Sequence, residues 1–93
     1  MSAENFELAA EEIKNFIAGN GKVSDDNLLQ FYAFYKQGTV GDCNTDKPGM
    51  LALKDKAKWE AWNAKKGMNQ NDAKTEYVKL AKTVLPANVA SNL

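Results

Sequence analysis

Tyr32, Tyr35 and Lys36 stand at i, i+3 and i+4, so a helix would carry two phenol rings and an ammonium on one side. Such a group suits a nucleotide, whose base stacks on a ring while a phosphate pairs with the cation. Lys54 and Lys58, four apart, can add phosphate contacts from a second helix. An ammonium is a point charge and does not fix phosphate geometry as a guanidinium fork does, so several lysines and tyrosine hydroxyls must act together. The same residues also fit a plainer arrangement, core rings with wet hydroxyls beside a solvated lysine face. On spacing alone that arrangement is the stronger of the two. Leu28 and Leu29, just upstream, are candidates for the mouth of an apolar groove, although periodicity by itself reads them as core.

Catalytic chemistry has little to work with. The chain has no His, the commonest general base and metal ligand. Its one cysteine, Cys43, can build neither a zinc site nor an activated Cys–His pair. The carboxylates are spread over helix faces, where solvation accounts for them. These features point to a binding protein with no catalytic residues, no metal and no cofactor, rather than to an enzyme.

Charge narrows the partners. The 93 residues carry twelve lysines and twelve acids, no arginine and a net charge of zero. That is a poor basis for nucleic-acid binding, which leans on positive charge and Arg forks. The distribution is uneven. Residues 1–31 carry six acids against Lys14 and Lys22, whereas residues 32–68 carry seven lysines against four acids, a local excess that favours a small anion. A single cysteine fits a reducing compartment, and no secretory signal or membrane span is evident, so a cytoplasmic monomer without stable membrane insertion is expected.

Four helices are expected to position these residues. The first is capped by Ser2, with Glu4 in its first turn and an apolar stripe at Phe6, Ala9, Ala10, Ile13, Phe16 and Ile17. It ends at Gly19-Asn20-Gly21. The second starts at Ser24, runs through LLQFYAFYKQ and stops near Gly38. Residues 38–52 form a long connection with a Pro48-Gly49 turn, unusual in a small domain unless it has an ordered fold of its own. The third helix runs from Leu51 or Leu53 to Lys66, with Trp59 and Trp62 three apart and assigned mainly to packing. The fourth starts at Asn69, carries Ala73, Tyr77, Leu80, Ala81 and Val84, and is stopped by Pro86. No alternating strand pattern occurs. The fold class is all-α, with a domain over residues 1–86 and a small, polar C-terminal tail over 87–93 that is free to be mobile.

The residues then carry a more specific signal. The run Tyr32, Tyr35-Lys36-Gln37, Thr39-Val40-Gly41-Asp42, Pro48-Gly49-Met50 and Lys56-Ala57-Lys58-Trp59 with Ala61-Trp62 resembles the signature of the acyl-CoA-binding protein family. Phe6, Ala9-Ala10 and Lys14 in the first helix and Tyr77 in the fourth extend the resemblance to about Leu85. The resemblance implies an up-down-down-up four-helix bundle with a long crossover between helices two and three. It also implies a carrier and pool former for medium- to long-chain fatty acyl-CoA thioesters, without catalysis. Tyr32, Lys36 and Lys58 would hold the adenosine 3′-phosphate, and Tyr35 would stack near the adenine. Tyr77 and Lys14 would add contacts to the CoA portion. Leu28, Leu29, Ala9 and Ala10 would line the acyl-chain groove, and Lys54 and Lys22 are secondary basic candidates.

The sequence departs from the family pattern at several points. Val23 stands where Pro is common, Gly38 where Ala is common, and Asp55 where Gly is common, which adds a negative charge beside Lys54 and Lys56. Two other readings remain possible from the residues. One is a helical module whose apolar second helix docks a partner helix. The other is a box-like DNA-binding domain, disfavoured by the zero net charge.

Overall fold

Helix caps define the chain's punctuation in the computed structural model, which describes residues 5–93. The Ser2 cap and Glu4 expected from the sequence lie outside the described residues. The first helix, α1, spans Phe6–Ala18 and buries Phe6, Ala9 and Ile13, the i, i+3, i+7 stripe of an amphipathic helix. It closes through Asn20, whose φ of 70° lies in the left-handed region. Gly21 then passes so close to Phe16 that an added Cβ would stand 2.6 Å from the ring, so only glycine fits the present packing.

Helix α2 spans Asp25–Thr39. Its cap is Ser24, whose hydroxyl accepts from the Asn27 N–H at 3.1 Å, with Asp25 and Asp26 at the positive end of the dipole. Gly38 does not end the helix. It is buried against α4, where a Cβ would meet the Lys74 side chain at 2.9 Å. Helix α3 spans Leu53–Asn63, shorter than the sequence suggested, and the chain turns through residues 64–67 to Gly67 at φ 91°. Helix α4 spans Gln70–Val84, capped by the Asn69 side chain, which accepts from the Asn71 and Asp72 N–H groups at 2.7 and 3.3 Å. After Pro86 the chain makes a fifth helix, α5, of four residues, Ala87–Ala90. Val89, Ala90 and Leu93 pack on the core, a docking that the small polar composition of residues 87–93 did not signal.

Helix direction follows from which residues meet. Tyr32 faces Lys58 and Lys36 faces Trp62, in ascending order, so α2 and α3 run parallel. Phe31 meets Tyr77 whereas Gly38, seven residues later, packs on Lys74, so α2 and α4 run antiparallel. Phe6 near the start of α1 touches Tyr35 late in α2 and lies beside Lys74 and Tyr77 in α4. The order is up, down, down, up, as the resemblance implied.

The main core lies where α1, α2 and α4 converge, on Phe6, Ala9, Ile13, Phe31, Tyr77, Val78, Ala81 and Leu85. Ala73 and Ala81 on α4 have no exposed surface, and their small size lets neighbouring helices approach closely. Helix α3 packs on α2 and buries only Trp62. Two parallel neighbours need a connection that travels back along them. Residues 40–52 supply it, since thirteen residues reach roughly 45 Å extended while α2 is about 22 Å long.

Trp62 is 3% exposed, and its indole N–H donates to the Gly41 carbonyl at 2.8 Å. Trp62→Ala is expected to lower unfolding free energy by about 3–5 kcal/mol in urea denaturation. Trp62→Phe should lose less, because it keeps most of the apolar volume. An alanine variant as stable as the parent would show that this indole does not anchor α3.

Candidate ligand-binding site

Three open clefts gather the residues singled out from the sequence. The first, about 310 Å³, lies between α2, α3 and the crossover, lined by Tyr32, Lys36, Thr45, Pro48, Asp55, Lys58, Trp59 and Trp62. Both ammoniums are poised over aromatic faces. Lys58 Nζ is 5.5 Å from the Tyr32 ring centroid, and Lys36 Nζ is 5.0 Å from that of Trp62. Among the described residues neither lysine has a carboxylate within ion-pairing distance, so their charge is directed at the cleft. Asp55 lines the same cleft and opposes that field.

Lys58 also lines a second cleft of about 530 Å³, with Asp25, Leu28, Leu29, Leu53, Lys54 and Ala57. Its walls are mostly apolar. Leu53 and Ala57, one helical turn apart on α3, stand opposite Leu28 and Leu29 on the first turns of α2. Lys58 therefore belongs to both the cationic, aromatic cleft and the apolar one.

The third cleft, about 510 Å³, lies on the opposite flank of α2, against α1 and α4. Phe6, Glu7, Ala10, Glu11, Lys14, Tyr35, Thr39 and Tyr77 line it. Tyr77 is 5% exposed, packed edge-on to Phe6 at 5.1 Å. Burial, with a smaller effect from Tyr35, pushes its phenol from 10.0 up to about 12, so it stays protonated and able to donate.

The structure thus divides the sequence-selected residues. Tyr32, Lys36 and Lys58 come together, as do Leu28, Leu29 and Lys54. Tyr35, Tyr77, Lys14 and Ala10 meet in the third cleft. Ala9 is fully buried in the core, away from the Leu28–Leu29 groove. Lys22 is exposed in the link before α2 and lines none of the three. Trp59, read from sequence as packing, is only half-buried and is part of the cleft wall. Its position next to Lys58 was the available signal. Pro48 was marked by its turn and by the family signature but not as a cleft residue, and Thr45 and Leu53 carried no signal.

The crossover that closes the first cleft is held by polar contacts. The Trp59 indole donates to the Thr45 carbonyl at 2.8 Å. Gln37, buried at 1% exposure, donates through Nε2 to Asp42 Oδ1 and to the Met68 carbonyl, both at 2.9 Å. Both partners are acceptors, which fixes the orientation of the amide. Asp42 Oδ1 also accepts from the Gly67 N–H at 2.8 Å. The Gly67 N–H, the Gln37 amide and the Lys66 charge hold this carboxyl below its usual 3.8.

Comparison with known proteins bears on the family and the fold. The family model described as acyl CoA binding protein matches residues 3–81. The chain belongs to the acyl-CoA-binding protein family. An acyl-CoA-binding protein homolog of Drosophila melanogaster is 50% identical over 78 residues, covering 84% of this chain and 87% of the relative. The solution structure of an acyl CoA binding protein from Babesia bovis T2Bo superposes with TM-score 0.82 at 50% identity, covering 94% of this chain and 97% of that one. The crystal structure of Oryza sativa Acyl-CoA-Binding Protein 2 gives TM-score 0.82 at 36% identity, covering 98% of both chains. The family match takes in every cleft residue named above and stops within α4, before α5.

Asp42 ties the crossover to the turn before α4, and its lowered folded-state pKa sets a sign. The contribution is complete above the ordinary carboxylate value of 3.8 and is lost as pH falls through the lower folded value. Asp42→Asn should therefore be less stable than the parent at neutral pH, with the gap closing at the acid end of a pH series of thermal midpoints. A gap that stayed constant down to acid pH would remove Asp42 from that role.

Proposed function

We propose that this chain binds medium- to long-chain fatty acyl-CoA thioesters and serves as a cytoplasmic, monomeric carrier and pool for them, without catalysis. The observation that carries this reading is Lys58, shared between a cleft with a second free ammonium and aromatic faces and a groove of leucines. A ligand with a phosphorylated nucleotide at one end and a hydrocarbon chain at the other needs that juxtaposition.

In this reading Lys36, Lys58 and Tyr32 hold the 3′-phosphate, and the acyl chain lies along Leu28, Leu29, Leu53 and Ala57. Tyr35, Tyr77 and Lys14 contact the rest of the CoA from the other flank of α2, with Tyr77 donating from a protonated phenol. Lys54 stands at the groove beside Leu53. The absence of histidine leaves the thioester without the usual base to activate water.

Magnitudes assign the two ends different jobs. Shielding one methylene gains about 0.8 kcal/mol. Roughly a dozen give on the order of 10 kcal/mol before ordering costs, near the tens-of-nanomolar range. Exposed lysine–phosphate pairs contribute only about 0–1 kcal/mol each. Acyl length therefore sets most of the affinity, while the cationic cleft selects CoA over a free fatty acid.

Titration calorimetry with palmitoyl-CoA, free CoA and palmitate tests this. Palmitoyl-CoA should bind far tighter than either part, and equal binding of free palmitate would defeat the head-group assignment. Within the cleft, Lys58→Ala and Asp55→Asn should move the affinity for palmitoyl-CoA in opposite directions, weaker and tighter, each by a few-fold or more with the thermal midpoint nearly unchanged. Shifts in the same direction would place the phosphate elsewhere.

A further inference from the structure

Met50 and Leu51 are the central residues of a turn closed by the Ala52 N–H on the Gly49 carbonyl at 3.1 Å. The turn leaves their side chains outside every packed cluster, at 84% and 98% exposure, and Leu53 follows at 72%. Three large apolar side chains within four residues form a projecting edge, and such an edge marks an interaction surface. It adjoins the apolar groove, because Leu53 belongs to both and Leu28 on the groove wall is itself 38% exposed.

The charge around this edge identifies what it meets. Residues 47–58 carry Lys47, Lys54, Lys56 and Lys58 against Asp55 alone, in a chain of zero net charge. Among the described residues only Lys47 of these four is paired, with Glu60 at 3.3 Å. A second copy is a poor occupant, since a two-fold contact through this edge would bring the same lysines together. An anionic lipid surface satisfies both features. Apolar side chains enter the headgroup boundary while lysines meet the phosphates, and peripheral binding takes two such signals together.

We propose that the Met50–Leu51–Leu53 edge, with its flanking lysines, docks this protein reversibly on anionic membrane surfaces. The contact is peripheral, for no helix among the described residues is long and apolar enough to cross a bilayer. The docked orientation brings the Leu28–Leu29–Leu53 groove to the lipid, so that an acyl chain can pass between bilayer and groove with little exposure to water. That consequence rests on the ligand reading above; the docking itself rests on exposure and charge.

Flotation with vesicles of phosphatidylcholine, with and without phosphatidylserine, tests the docking. The wild-type chain should float with the anionic vesicles, more weakly with neutral ones, and less as salt rises. Met50→Ser/Leu51→Ser removes the apolar tip without adding charge and should reduce binding by about tenfold or more. Neither residue lines a cleft, so calorimetric affinity for palmitoyl-CoA should be unchanged, and circular dichroism should show the parent's helix content. No flotation of the wild type with anionic vesicles, or equal flotation of the double variant, overturns the proposal. So does a dimer in sedimentation equilibrium that disappears in the variant while vesicles go unbound. Vesicle binding without palmitoyl-CoA binding would uphold the docking surface and sink the ligand reading instead.

Discussion

A parallel pair of neighbouring helices is the constraint on which the rest of this structure depends. Because α2 and α3 run the same way, the chain must return along them, and the returning strand has no regular hydrogen-bond partners of its own. Side chains replace those partners. The indoles of Trp59 and Trp62 donate to the Thr45 and Gly41 carbonyls, and Asp42 joins Gln37 to Gly67. The same contacts seat Thr45 and Pro48 as the outer wall of the cationic cleft. Fold and site therefore share one set of bonds, and a change that frees the crossover also opens the cleft.

Helix signals were legible in the sequence wherever local chemistry decides them. Ser24 and Asn69 cap as their side chains predict, and Asn20 takes the left-handed position that the Gly19-Asn20-Gly21 run allowed. The end of α3 was not legible, because Ala64, Lys65 and Lys66 are all good helix formers and the turn there is imposed by the Asp42–Gly67 contact. Gln37 entered the sequence reading only as part of the Tyr35-Lys36-Gln37 run, with no sign of burial. Its burial depends on partners at Asp42 and Met68, and the latter lies thirty-one positions away.

The sequence marks a set of candidate residues but not how the helices group them. At about 100° per residue, Lys36 and Tyr35 diverge around α2 although both lie within a turn of Tyr32. A third helix on one flank and two on the other turn that divergence into separate clefts. The same rotation separates Ala9, sealed in the core, from Ala10, which reaches the third cleft. A stripe wide enough to include both cannot say which faces inward until the neighbouring helices are in place.

The convergence of α1 and α4 also has a kinetic meaning. Phe6, at the start of the described chain, packs on Tyr77 near its far end, while Leu85 closes the same core. The most buried cluster thus joins segments separated by most of the sequence. Loop-closure entropy must be spent before that cluster gives anything back. Local helices can form early, but stable tertiary structure waits until the two ends of the chain meet. For its size and helix content, this bundle is built to fold more slowly than one whose consecutive helices simply alternate.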